Sequence, residues 1–228
     1  ETNSLPEFYD NASVIVPIDV DGDNDMDLFI GNQAVSSDFG KPATSHLLIN
    51  TDGKFTLSSK NPFESLGMVT DAIATDFNND GSQDLIIVGE WMAPKFYRNE
   101  ESNFVYTEQF KEDDLKGLWQ SVESFDIDGD GDQDYLLGNW GMNSKYTASK
   151  DNPMRMYYGD FDKNGDTETI VCNYKKGSYY PLASFNELSS QIVSLRKKFT
   201  SYSSFAGKSI TEILNNEQLN NAEILNIS

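Results

Sequence analysis

The sequence predicts an all-β fold. Specifically, it reads as part of a β-propeller, about three to four blades of four-stranded antiparallel sheet with a C-terminal helical insertion. Three observations predict it. Four acidic loops recur in register, Asp19–Leu28, Asp76–Leu85, Asp126–Tyr135 and Asp160–Thr169. Each lies between two short apolar or β-branched runs, which read as strands. After the first two, a strand, a polar turn and another strand follow. Loop starts 57, 50 and 34 residues apart then fit four-stranded units set side by side.

The first strands of the units are Ser13–Ile18, Asp71–Thr75 and Met154–Tyr158, and the second strands begin at Leu28, Leu85, Tyr135 and Thr169. The outer pairs come from His46–Asn50 with Phe55–Leu57, and from Lys95–Asn99 with Phe104–Tyr106. Asp52-Gly53 between the first two of these is a hairpin signal, because both residues tolerate positive φ.

Counted from the first Asp, positions 1, 3, 5 and 9 of every loop carry oxygen. They are Asp19, Asp21, Asp23 and Asp27; Asp76, Asn78, Asp80 and Asp84; Asp126, Asp128, Asp130 and Asp134; and Asp160, Asp162, Asn164 and Glu168. Position 2 is apolar each time (Val20, Phe77, Ile127, Phe161), and a Gly stands at position 4 or 6. Alternate oxygens on a tightly curled loop converge on one point. Six to eight oxygens at about 2.3–2.6 Å suit Ca²⁺, whereas Mg²⁺ demands stricter octahedral geometry. Position 7 (Asp25, Ser82, Asp132, Asp166) varies in chemistry, as a ligand acting through its backbone carbonyl would. An EF-hand also needs a bidentate Glu at position 12 and flanking helices. Here position 12 is Ile30, Ile87, Leu137 and Val171, all apolar, and the flanks are strands. The loops are therefore connections of β-hairpins.

Charge supports the same reading. The chain has 37 acidic and 17 basic residues, a net charge of −20, and 17 of the acids fall in the four loops. The excess is a local device. It argues against nucleic acid, which is bound through clustered Lys and Arg, and against an anionic membrane surface. At 12% aromatic content the chain is expected to fold rather than remain disordered. No apolar run is long enough for a transmembrane helix. The single cysteine, Cys172, has no partner for an internal disulfide and reads as an apolar strand residue. The chain begins at Glu1 without a visible signal peptide, as a processed or trimmed product would.

The loops and the strands after them resemble the FG-GAP or VCBS repeats of integrin-α-like propellers, whose pattern is DxDxDGxxDL followed by an apolar strand. The resemblance covers roughly residues 10–175. Trp140-Gly141-Met142-Asn143-Ser144 carries a narrower likeness to bacterial surface or exported repeat proteins of the ASPIC/UnbV type. What the resemblance implies is a calcium-binding propeller, extracellular, periplasmic or on a bacterial outer-membrane surface. Two departures stand out. The stretch Gly141–Asn152 is too polar for two good outer strands, so the third blade is expected to be incomplete or rearranged. In the fourth loop Glu168 and Asn164 depart from the pattern, which makes this site the weakest.

From Ser184 the period changes, dividing the chain into blades over 1–183 and a helical segment over 184–228 that leads into a truncated blade. Leu188, Ile192, Leu195 and Phe199 fall on one helical face. Ser184 with Glu187, and Ser209 with Glu212, form capping boxes. Arg196, Lys197 and Lys198 suit a helix C-terminus. Ile210, Ile213 and Leu214 mark the apolar side of a second helix, and Ala222–Ile227 a further strand. The chain is expected to belong to a longer parent carrying the remaining blades.

Residues after the second strand of each unit align as Asn32-Gln33, Glu90-Trp91, Asn139-Trp140 and Asn173-Tyr174. They lie at the end of the strand opposite the metal loop. Glu90, Trp91, Asn139, Trp140 and Tyr174 either grip a glycan or extended peptide, or pack between blades. Catalysis finds little support. His46 is the only histidine and lies on a strand without a nucleophile motif, and no phosphate loop, zinc spacing or dinucleotide fingerprint occurs. The expected function is a non-catalytic, calcium-stabilised module that binds a protein or glycan. The alternatives are a calcium-dependent polysaccharide lyase or hydrolase, and a purely structural repeat.

Overall fold

The computed structural model describes residues 5–111, 115–140 and 148–228. They form two compact units, the first holding Pro42–Trp140 with the chain up to Ser36, the second holding Ser37–Lys41 with the chain after Trp140.

In the first unit β1 (Asn11–Ile18), β2 (Asp27–Ala34), β3 (His46–Thr51) and β4 (Lys54–Leu57) pair in chain order. The next blade repeats them as β5 (Met68–Thr75), β6 (Asp84–Met92), β7 (Lys95–Glu100) and β8 (Asn103–Thr107). All pairings are antiparallel, with Ile15 opposite Ile30 and Ile73 opposite Ile86. Each acidic loop joins the first and second strand of its blade, as the sequence predicts. A third hairpin, β9 (Gly117–Phe125) and β10 (Asp134–Asn139), adds to β6 through Glu90 and Met92, which pair with Leu118 and Gly117. Among the described residues no third or fourth strand follows it. Part of the polar stretch after it, 141–147, lies outside them, as do Gly141, Met142, Asn143 and Ser144 of the narrower resemblance.

Sheet alternation sends one row of each strand toward the preceding blade and the other toward the next. Val16, Ile18, Val20, Phe29 and Leu47 of the first blade meet Ala72, Leu85, Ile87, Tyr97 and Phe104 of the second around Phe63. The opposite row, Ile86, Val88 and Phe96, meets Val122 with Trp119, Tyr135 and Leu137 of the third hairpin. Bulges in β1 and β5 place a hydroxyl at the joint. Ser13 Oγ donates to Val69 O at 2.7 Å and Thr70 Oγ1 to Trp119 O at 2.8 Å, so each first strand is tied to the next. Gly31 sits where this approach is closest, and a Cβ there would lie 2.7 Å from both Val14 and Val69 methyls.

The second unit carries β11 (Met154–Gly159), β12 (Glu168–Lys175), β13 (Ser178–Pro181) and β14 (Glu223–Ile227) in the order β13-β12-β11-β14. The strand expected at the chain's end forms as β14, and it is the edge strand of this same sheet, beside β11. Between β13 and β14 run α1 (Phe185–Gln191), α2 (Leu195–Lys198), α3 (Tyr202–Phe205), α4 (Ile210–Ile213) and α5 (Asn216–Asn221). Leu188, Ile192, Leu195 and Phe199 are all buried against Tyr157, Phe161, Ile170 and Cys172. They do not share one helix. α1 stops at Ile192, where Ser189 and Ser190 hydroxyls donate back to the Asn186 and Glu187 carbonyls and two β-branched residues follow. Both predicted capping boxes are present. Burial pushes the Cys172 thiol up to about 12.

Candidate metal centres

The loops share one hydrogen-bond plan. The position-1 carboxylate accepts from backbone N–H groups three to five residues on. Asp19 accepts from Gly22 (2.8 Å) and Asn24 (3.2 Å), and Asp76 from Asp80 (3.0 Å) and Gly81 (2.8 Å). Asp126 accepts from Gly129 (2.7 Å) and Gly131 (3.0 Å), and Asp160 from Asn164 and Gly165 (both 3.0 Å). Gly22, Gly81, Gly129, Gly131 and Gly165 hold the positive φ that the tight curl requires, as do Asn24, Asn79 and Lys163. Position 3 accepts from position 5 in three loops: Asp23 N to Asp21 (3.3 Å), Asp80 N to Asn78 (2.9 Å) and Asp130 N to Asp128 (3.2 Å). Position 5 accepts from position 7 in all four, through the N–H groups of Asp25, Ser82, Asp132 and Asp166 onto Asp23, Asp80, Asp130 and Asn164. Their N–H groups spent in this way, the position-7 residues keep carbonyls free of these bonds.

This folding brings carboxylate oxygens together. One oxygen each from Asp19, Asp21 and Asp27 lies within 4.8 Å of the others; so do Asp126, Asp128 and Asp134, and Asp160, Asp162 and Glu168. The second loop has the same plan with Asn78 in place of the second acid. Position 5 stays outside these trios.

The position-9 acid is the most constrained carboxylate of the loop. Asp27 Oδ2 accepts from Val20 N at 2.9 Å, Asp134 Oδ2 from Ile127 N at 2.9 Å and Glu168 Oε2 from Phe161 N at 2.7 Å, closing each loop onto itself. In the two complete blades the third strand adds a second donor, Asn50 N to Asp27 (2.7 Å) and Asn99 N to Asp84 (2.8 Å). Burial raises the carboxyls of Asp27, Asp84 and Glu168 above their ordinary range, against the pull of these bonds. Asp80 is held low instead, first by the Ser82 N–H, then by Asn78.

Asp162 Oδ1 is buried with no hydrogen-bond partner, whereas the buried Asp84 carboxylate has the Phe77 N–H as well as that of Asn99 to hold it down. A buried acceptor left unpaired is costly. Asp162 belongs to a trio that converges on the loop centre, so the donor set fits a hard divalent cation: oxygen only, mostly anionic, with acceptor capacity unspent.

Three residues outside the acidic pattern complete the centres. Asn50 Nδ2 donates to Met26 O at 3.1 Å and Asn99 Nδ2 to Val20 O at 2.8 Å. Gln83 Oε1 accepts from Asp19 N at 2.9 Å. The last two link the second repeat to the first loop. The signal for the asparagines is in the sequence, since both end the third strand of their blade.

The set read at the opposite strand ends divides. Glu90 Oε1 accepts from Gln120 Nε2 at 3.0 Å, and Asn139 Oδ1 accepts from Leu118 N at 3.0 Å. Trp140 N donates to Leu118 O at 3.1 Å, so Glu90, Asn139 and Trp140 gather around one β9 residue. Trp91 is buried at a bulge with φ 60°, while Trp140 is 46% exposed. Tyr174 belongs to the second unit, where it meets the Tyr179 ring edge-on at 5.1 Å. His46 stacks on Phe8 and lies 3.6 Å from Asp10.

The chain matches the model of the FG-GAP-like repeat over residues 19–87 and again over 76–137, together just over half of its 228 residues. No curated protein matches it.

Proposed function

The chain belongs to the FG-GAP-like repeat family, and on that premise we propose that it is a calcium-stabilised β-propeller module of an exported or cell-surface protein that binds protein or glycan. FG-GAP-like repeats form β-propeller-like binding or structural modules, typically non-catalytic and generally found in extracellular or surface proteins. Residues 1–183 supply the blades in this reading and 184–228 the helical segment, with further blades in a longer parent chain. The reading extends to a likeness with VCBS and ASPIC/UnbV-type repeats.

One observation carries the calcium reading: Asp162 Oδ1, buried without a hydrogen-bond partner, in a trio of converging oxygens with Asp160 and Glu168. Positions 1, 3, 5 and 9 would hold the ion through side chains and position 7 (Asp25, Ser82, Asp132, Asp166) through its carbonyl. The ion would neutralise each trio of carboxylates, so its binding free energy adds to folding free energy. Extracellular sites of this kind bind at about 10⁻⁴–10⁻³ M, where ambient calcium fills them. On the other side, Glu90, Trp91, Asn139, Trp140 and Tyr174 remain the proposed ligand contacts.

The experiment is a thermal melt with calcium and with EDTA, paired with metal analysis of the dialysed protein. The expected result is a fall of more than about 10 °C on chelation, reversed by Ca²⁺, at a ratio of several ions per chain. A melt unmoved by EDTA would refute the structural role of calcium.

A further inference from the structure

The first two acidic loops are tied to each other, and the ties start from and land on the ligand positions. Gln83 is the eighth residue of the second loop, between Ser82 and Asp84 at positions 7 and 9. Its Oε1 accepts from the N–H of Asp19, position 1 of the first loop, at 2.9 Å. Asn99 makes the second tie. Its N–H donates to Asp84 at 2.8 Å, and its Nδ2 donates to the carbonyl of Val20, between positions 1 and 3 of the first loop, also at 2.8 Å. Asn99 is 5% exposed, so these bonds are not readily exchanged for bonds to water. Both loops line one cleft of about 360 Å³, to which Asp19, Asp21, Ser82, Gln83 and Asn99 all contribute.

The third loop carries the same amide without the tie. Gln133 stands at its eighth position, yet it is exposed, and its side chain makes no hydrogen bond among the described residues. The packing beneath differs in the same sense. At the first joint between blades Phe63 is fully buried, its ring 5.0 Å from Tyr97 and 5.5 Å from Phe104. At the second joint Phe110 holds the corresponding place before the next first strand. It lies 6.1 Å from Phe96 and is 56% exposed.

We propose that the first and second loops bind calcium cooperatively, with Gln83 and Asn99 as the positioning residues that couple them. When the second loop is filled, Ser82 and Asp84 are held, and Gln83 and Asn99 with them. These two then fix the Asp19 N–H and the Val20 carbonyl, so the first loop is already closed when it binds. By linkage, filling the first loop strengthens the second by the same factor. Charge opposes the effect, because each filled loop attracts a further cation less. At 0.15 M salt exposed charges are screened over about 8 Å, and the hydrogen-bonded ties set the sign. The inference rests on the calcium reading above. A chain whose loops fill independently would fail this inference alone.

The test is a calcium titration of the whole chain at 0.15 M salt, followed by the amide signals of Gly22, Gly81 and Gly131. Each of these N–H groups is bonded to the position-1 acid of its own loop. Gly22 and Gly81 are expected to titrate together, more steeply than a single site. Asp80→Ala in the second loop is expected to weaken calcium at Gly22 about fivefold or more, and Asp21→Ala to weaken it at Gly81 by the same factor. Gln83→Met, which places there the residue type of Met26 in the first loop, is expected to reduce that factor to about two or less while both loops still bind. Gln133→Met, the same change at the untied position, is expected to leave it intact. Independent curves at Gly22 and Gly81, or a coupling unchanged in Gln83→Met, would overturn the proposal. So would a loss at Gly131 in Asp80→Ala as large as that at Gly22, which would mark a general loosening of the fold. Signals unmoved by calcium in every loop would overturn the calcium reading as well.

Discussion

Asn99 Nδ2 donates to the carbonyl of Val20 at 2.8 Å, across 79 residues of chain. Val20 is the apolar second residue of the first loop, and Asn99 closes the third strand of the next blade. The same Asn99 gives its backbone N–H to Asp84. One residue thus serves two loops. Asn99→Ala is expected to cost about 1–3 kcal/mol, because it strands the Val20 carbonyl in a buried setting. Urea unfolding would read this as a lower midpoint with an unchanged slope.

Asp84 offers a prediction whose sign depends on the medium. Burial, with the Asp80 and Asp76 carboxylates nearby, raises its carboxyl, a cost that a bound cation would offset. Asp84→Asn is expected to raise the melting temperature in EDTA and lower it in calcium. A shift in the same direction in both media would mean that the loop holds no ion there.

Phe63 and Phe110 make a matched pair. Phe63→Ala empties the middle of the first joint and is expected to cost about 3–5 kcal/mol. Phe110→Ala removes a ring that is more than half exposed, and about 0.5–1 kcal/mol is expected. Equal losses in denaturant titrations would show that the second joint is filled after all.

Glu212 supplies the acid limb of the second unit. Its carboxylate accepts from Lys208 Nζ and from Ser209 in the α4 capping box, which holds its pKa at about 2, well below the ordinary 4.5. A depressed carboxylate contributes stability above its unfolded value and loses that contribution as pH falls toward its folded one. Glu212→Gln is therefore expected to flatten the decline between pH 4.5 and 2 relative to the native chain, as followed by melting temperature.

Much of this was legible in the residues. Hairpin loops, the four strands of each complete blade and both capping boxes follow from local pattern, because each has its own periodicity or cap. The break after Gln191 was not legible. The apolar spacing of Leu188, Ile192, Leu195 and Phe199 gives the buried face correctly, but it cannot register serine hydroxyls turning back on the helix backbone. β14 beside β11 was hidden for another reason: their pairs, from Tyr158 with Glu223 to Met154 with Ile227, join residues 65 to 73 apart and leave no local signal. Among the site residues the acids announce themselves by number. Gln83, a single amide at the eighth position of its loop, does not, because its partner Asp19 lies 64 residues away.

That Gln83–Asp19 bond joins the two ends of the first matched segment, 19–87. The segment starts in one hairpin connection and stops in the second strand of the following sheet. Sequence and space are therefore out of phase: what recurs along the chain is a joint between two leaves, and not a leaf. Adding or deleting one such segment keeps each loop between the first and second strand of its sheet, so an array of this kind can lengthen or shorten one joint at a time.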